Sequence, residues 1–134
     1  MGFLNMFFSL FRSSEKDDFD LPWGILVSMD QLDSIVEESN EKPVAIFKHS
    51  TRCGVSRMTF REFQRNYSLS EDQFKLYYLD IYNYRELSNE VSIKFQVLHE
   101  SPQLLVIKNG NVVHHSSHYR IDSRILNEFI SIDA

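Results

Sequence analysis

From Trp23 onward the apolar positions fall into two kinds of block, short continuous runs and longer stretches spaced three or four apart, and each kind predicts a different element. Val44-Ala45-Ile46-Phe47 follows a proline and is apolar throughout, the mark of a central strand buried on both faces. Upstream, Ser28-Met29-Asp30-Gln31 has the S-x-x-Q form of a capping box: Ser28 can accept from a free helix N–H while Gln31 reaches back. A helix is expected to start there, turn Leu32, Ile35 and Val36 inward, and end over Asn40 to Pro43. Val55, Met58, Phe60, Phe63 and Tyr67 recur at helical spacings with no interior Gly or Pro, which predicts a second helix over 55–67. A strand is expected around Lys75 to Ile81, and Asn83-Tyr84-Arg85-Glu86 opens a third helix with Leu87, Val91 and Phe95 at i, i+4 and i+8. Leu104-Leu105-Val106-Ile107 and the residues from Val112 flank Asn109-Gly110, the pair most favoured in a type I′ hairpin. Asp122 is placed to cap a last helix carrying Ile125, Phe129 and Ile132.

The resulting order, αβαβαββα, constrains topology. Strands joined through a helix lie parallel with a right-handed crossover, and the closing hairpin adds antiparallel strands. The expected class is therefore α/β, a mixed central sheet with helices on both faces. Ahead of these elements lies the segment MGFLNMFFSLFR, apolar at eight of twelve positions. As a helix it puts Phe3, Met6, Phe7, Leu10 and Phe11 on one face, so it reads as an amphipathic N-terminal extension. That face calls for a cover: the body of the domain, a second copy in a homodimer, or a membrane surface or partner helix met through residues 1–12. Residues 13–20 read as a polar linker, which leaves 21–134 as the folded domain. Twelve residues are too few to cross a bilayer, which takes about 20. The segment also lacks the basic start and small-residue cleavage site of a secretory signal, so a cytoplasmic location is expected.

Composition narrows the function. One chain of 134 residues with 43% hydrophobic and 13% aromatic residues can bury a core as a single domain. A net charge of −5 argues against general affinity for nucleic acid. The charge is uneven: residues 1–41 hold nine acids and two bases, whereas 42–134 hold ten acids and twelve bases. Lys48, Arg52, Arg57, Arg61 and Arg65 form a basic stretch opposed only by Glu62.

Inside that stretch lies the one cysteine, Cys53. A single thiol excludes an intramolecular disulfide and every multi-cysteine metal site. Its predicted place, between a strand and a helix, exposes it to free backbone N–H groups and to the positive end of the helix dipole, which favour thiolate over thiol. Lys48, His49, Arg52 and Arg57 add positive potential. Ser56 stands three residues later, where a dithiol oxidoreductase would carry its resolving cysteine. A hydroxyl cannot close a disulfide, so a mixed disulfide on Cys53 has to be resolved by an external thiol. Ser56 can donate to the Cys53 sulfur or satisfy backbone donors of the first helical turn, and the two roles are compatible.

Two stretches, Phe47-Lys48-His49-Ser50-Thr51-Arg52-Cys53-Gly54-Val55-Ser56 and His99-Glu100-Ser101-Pro102-Gln103 running on to Gly110, resemble the monothiol bacilliredoxins of the bacillithiol system. The resemblance extends over about Trp23 to Ile132 and implies a thioredoxin-like fold. It implies a bacterial thiol-disulfide oxidoreductase in which Cys53 takes bacillithiol from S-bacillithiolated client proteins. It implies catalytic roles for Cys53 and Ser56, and substrate binding by Lys48, Thr51, Arg52, Gly54, Val55, Arg57, Ser101 and Pro102, with Ser101-Pro102 as a cis-proline site. No bound cofactor and no metal are implied; bacillithiol, or another low-molecular-weight thiol, is co-substrate. The family usually has Pro where this chain has Gly54.

Two other functions share some of these features. Cys-Gly-Val-Ser also resembles the Cys-Gly-Phe-Ser of monothiol glutaredoxins that carry an iron–sulfur cluster, but their Thr-Val-Pro stretch and later Gly-Gly-x-Asp are missing. A noncatalytic thioredoxin-fold binding module would use the N-terminal apolar face instead. His114 and His115, adjacent in a strand, point to opposite faces and do not chelate together with His118. Tyr77, Tyr78, Tyr82 and Tyr84 read as core and rim residues rather than a base-stacking platform.

Overall fold

The computed structural model describes residues 19–130. Five strands form one sheet in the order β1-β3-β2-β4-β5: β1 Gly24–Ile25, β2 Val44–His49, β3 Lys75–Asp80, β4 Gln103–Lys108 and β5 Asn111–Ser117. β1, β3 and β2 run parallel; β4 is antiparallel to β2, and β5 to β4. Three α-helices join them, α1 Asp30–Glu38, α2 Gly54–Asn66 and α3 Arg85–Phe95, followed by the 3-10 segments His118–Arg120 and Ser123–Phe129.

The central strand is where the pattern predicted it. All six residues of β2 are buried, flanked by β3 on one side and β4 on the other. Its side chains alternate between two cores. Val44 and Ile46 join Leu32 and Ile35 of α1 and Leu87, Val91 and Phe95 of α3. Ala45 and Phe47 join Phe60 and Phe63 of α2, with Ile121 and Leu126 from the C-terminal segment. Burying each such Phe, Leu or Ile contributes roughly 1.5–3 kcal/mol, so both faces of the sheet are firmly held. Trp23 closes the α2 side: its ring tilts over Phe60 and Phe63, and its indole N–H donates to Gln64 Oε1 at 2.8 Å. Phe19 packs edge-on against Phe60 and Tyr78.

The hairpin has the predicted turn, with Asn109 at φ 53° and Gly110 at φ 78°, both in the left-handed region that type I′ requires. Tyr77 and Tyr78 lie in the cores, while Tyr82 and Tyr84 are exposed at the rim.

Several details differ from the sequence pattern. α1 starts at Asp30, two residues into the capping box with Met29 as its N-cap, and only half of the box forms: Gln31 Oε1 accepts from the Val27 and Ser28 N–H groups, and the Ser28 hydroxyl turns to the same oxygen. Met58 is exposed, because the inner face of α2 is already filled by Phe60 and Phe63. The last helix is a 3-10 segment rather than an α-helix; Asp122 caps it by accepting from Arg124 N–H, and Leu126 is its fully buried residue. β1, two residues long, carries no periodic signal and was not predicted; it exists because Gly24 and Ile25 add to the free edge of β3. The expectations for residues 1–12, the start of the linker and Ile132 lie outside the described residues. No helix among the described residues is long and apolar enough to cross a membrane.

Candidate active site

Cys53 sits where β2 hands over to α2. It is the N-cap residue of the helix, in extended backbone (φ −104°, ψ 123°), with its carbonyl accepting from Arg57 N–H at 3.0 Å. Its own N–H donates to Ser50 O at 3.1 Å, closing the turn that links strand to helix. The side chain is half-buried and the thiol is free. The first turn of α2 contains no acid, so no side chain of that turn offsets the positive end of the helix dipole at this sulfur.

Beneath the turn lies Ser56, fully buried. Its hydroxyl oxygen accepts from Ser50 N–H at 3.0 Å and lies 2.7 Å from His49 Nδ1. The His49 ring stacks on Phe60 at 4.9 Å between centroids. The hydrogen bonds of Ser56 therefore run to the loop and to His49 rather than to the Cys53 sulfur. It shapes the turn that presents the nucleophile.

Around Cys53 the residues expected to meet substrate divide into two groups. Thr51, Arg52, Gly54, Val55 and Arg57 all lie on the turn or the first turn of α2. Arg52 is exposed, its guanidinium carbon 3.8 Å from the centre of the Tyr82 ring; Arg57 Nη1 donates to Thr51 O at 3.2 Å. Among the described residues neither arginine forms an ion pair, so both charges remain available to an anionic ligand. Gly54 is exposed, and a Cβ there would meet nothing within 4 Å. Ser101 and Pro102 enter β4 through a cis peptide bond, as the resemblance implied. Because Lys48 is the register partner of Gln103, Pro102 stands one residue further along, level with His49 at the end of β2 that leads to Cys53.

Lys48 is the exception. It was expected at the substrate beside Cys53, yet it is 0% exposed and points to the opposite face of the sheet from His49. The cause is strand parity: in a buried strand adjacent residues face opposite ways, and position 48 shares its side with Val44 and Ile46. Its ammonium donates to Ser88 O at 3.0 Å and Ser92 Oγ at 2.9 Å of α3, and lies 3.2 Å from His99 Nδ1. Burial pulls its pKa from 10.5 down to about 8. His99 is likewise held below its ordinary value, by burial and then by the nearby Lys48 and Arg85 charges. Ser88 and Ser92 carry no signal in the sequence, and His99 and Gln103 appear there only within the stretch that bears the resemblance, with no role of their own. The period-2 alternation of 44–49 is the signal that separates Lys48 from His49, but nothing local names the partners on α3.

On β5 exposure alternates as expected, His114 half-buried against Phe129 and His115 exposed. Among the described residues no group of three or more His, Cys, Asp or Glu is placed to hold a metal ion.

Comparison with known proteins agrees with this geometry. Residues 25–126 match the family model described as Monothiol bacilliredoxin BrxC. A solved thioredoxin-fold structure described as a candidate oxidoreductase is 34% identical, with TM-score 0.66, covering 78% of this chain and 89% of that one. Thioredoxin from Malassezia sympodialis is 21% identical (TM-score 0.60; 84% and 93% covered), and thioredoxin from Plasmodium falciparum 20% (TM-score 0.57; 81% and 99%). The last two share the fold.

Proposed function

The chain belongs to the monothiol bacilliredoxin BrxC family of thioredoxin-fold redox proteins, and we propose that Cys53 removes bacillithiol from S-bacillithiolated proteins by one-thiol exchange. The observation that carries this reading is the single free cysteine at the N-cap of α2, with the buried Ser56 where a second thiol would be needed to close a disulfide. The Cys53 thiolate attacks the bacillithiol sulfur of the mixed disulfide. The S–S bond breaks, the client thiolate leaves and takes up a proton from solvent, and Cys53 keeps bacillithiol as a new mixed disulfide. A second molecule of low-molecular-weight thiol attacks that disulfide, freeing Cys53 and leaving as the symmetrical small disulfide.

The residues around Cys53 supply binding rather than electrons. Arg52 and Arg57, which form no ion pair among the described residues, present guanidinium groups to the carboxylates of the small thiol. Thr51, Gly54 and Val55 frame the sulfur, and the Ser101–Pro102 segment offers backbone to the client chain. Support for bacillithiol in particular comes from family membership and from these cations beside the thiol.

The test is intact-mass measurement after exposure to bacillithiol disulfide at neutral pH. One bacillithiol adduct on Cys53 is expected, with release from a bacillithiolated client in step. Cys53→Ser is expected to abolish both adduct and release. An unmodified wild-type protein overturns the reading.

A further inference from the structure

Lys48 donates from the centre of the sheet to a loop it was not expected to touch. A lysine ammonium has three donors and no acceptor, and three acceptors surround this one: Ser88 O, Ser92 Oγ and His99 Nδ1. Because Lys48 can only donate, His99 must accept through Nδ1, which places its proton on Nε2. Two of the three partners belong to α3, a rigid helix whose Leu87, Val91 and Phe95 are buried. The third belongs to the segment 96–101 that leads from α3 to Ser101 and Pro102.

The register partner of Lys48 acts on the same segment. Gln103, also 0% exposed, donates through Nε2 to Leu98 O at 2.9 Å, and its Oε1 faces Glu100 N–H at 3.4 Å. From the other side the Ser117 hydroxyl donates to Glu100 Oε1 at 2.8 Å, and His118 N–H donates to Pro102 O at 3.0 Å. Two buried polar side chains, paired across β2 and β4, thus grip consecutive residues of the loop that ends at Pro102. Burying an ammonium among neutral partners is costly and leaves no gain in the hydrophobic core. A strand position of this kind is ordinarily filled by Val or Ile, which need no polar partners, so a lysine with three acceptors gathered round it calls for a role.

We propose that Lys48, acting through His99 and together with Gln103, is a positioning residue that holds the Ser101–Pro102 segment in place for the incoming disulfide. The inference rests on the reading of Cys53 as the exchange nucleophile and deepens it: the basic residue assigned to the substrate acts from behind the loop that the substrate meets. The brace depends on a neutral His99. The charged groups that act on His99 are Lys48 from β2 and Arg85 from α3, which oppose its protonation, and Glu100 beside it, which favours it.

Two full-length variants at His99 test this while the buried lysine itself is kept. His99→Leu removes the acceptor, whereas His99→Asn offers an amide oxygen in place of Nδ1. One probe is a peptide mixed disulfide with 2-nitro-5-thiobenzoate: Cys53 attacks the peptide sulfur, the coloured thiolate leaves, and a Cys53–peptide disulfide forms. The other is iodoacetamide, small enough to alkylate Cys53 without the loop. His99→Leu is expected to slow peptide exchange about tenfold, since misplacing substrate by about 1 Å can cost a hundredfold. His99→Asn is expected to restore most of that rate, with alkylation unchanged in both. Peptide exchange at the wild-type rate in His99→Leu, no recovery in His99→Asn, or alkylation falling in parallel would each overturn the proposal. Bacillithiol is absent from both assays, so its failure as co-substrate leaves these rates readable.

Discussion

Lys48 and His49 are neighbours in one strand, both fully buried and both polar, yet they serve opposite sides of the sheet. His49 faces α2, where with Ser56 and Ser50 it forms a compact network under the turn that carries Cys53. Lys48 faces α3, where it ties a helix and a loop to the sheet across 40 to 51 residues of sequence. The first network is local, spanning positions 49–56, and shapes the nucleophile. The second is long-range and shapes the approach to it. A strand two residues from its end can thus govern both halves of an exchange site by parity alone.

The comparison breaks if variants on the two sides give the same response. The largest effect is expected for Lys48→Met, which strips a donor from three acceptors and should cost about 3 kcal/mol in urea unfolding at neutral pH. Its pH dependence carries a sign. The folded pKa of Lys48, about 8, lies below the ordinary 10.5, so between those values the unfolded chain binds more protons than the native one. Wild-type protein should therefore gain stability relative to Lys48→Met as pH rises from about 8 to about 10.5; a constant difference across that window contradicts the buried-ammonium assignment.

Ser56→Ala comes next, with an expected loss of about 1–2 kcal/mol because Ser50 N–H and His49 lose their shared partner. Here the iodoacetamide rate of Cys53 should change while the Lys48 side is untouched, the reverse of the His99 pattern. Equal changes in alkylation for Ser56→Ala and Lys48→Met would merge the two networks into one.

Arg52→Ala tests the exposed rim against both buried networks. Losing an exposed cation beside Tyr82 is worth about 0.5–1 kcal/mol, so exchange with a carboxylate-bearing thiol should slow about threefold, and exchange with 2-mercaptoethanol should not. The smallest effect is expected for Gly54→Pro. Gly54 is the first residue of α2, where proline is favoured; a side chain there has open space, and Cys53 before it already has the extended backbone that a following proline demands. A gain of about 0.4–1 kcal/mol should appear as a higher melting temperature.

Most of the framework was legible because its signals are local. The apolar run 44–47, the i, i+4, i+8 spacing of Leu87, Val91 and Phe95, and Asn109-Gly110 each depend on a few consecutive residues, and each element formed where those residues put it. Placing Cys53 at a helix start needed only the change from continuous to helical spacing around it. The misreadings share another cause. Met58 fits the helical period but loses its place to larger neighbours, and Asp122 caps its segment as predicted while packing of Leu126 beside Ile121 accompanies a tighter 3-10 run.

By itself, then, the sequence determined the order of elements, the central strand, the hairpin and a chemistry limited to one thiol, since hydrophobic period, turn residues and a cysteine count act over short spans. Only the tertiary structure decided what that thiol is surrounded by. Which helix meets Lys48, which loop His99 belongs to, and that Arg52 lies on Tyr82 all follow from how α2 and α3 are laid on opposite faces of the sheet. Those contacts join residues 30 to 51 positions apart, and no local pattern encodes them.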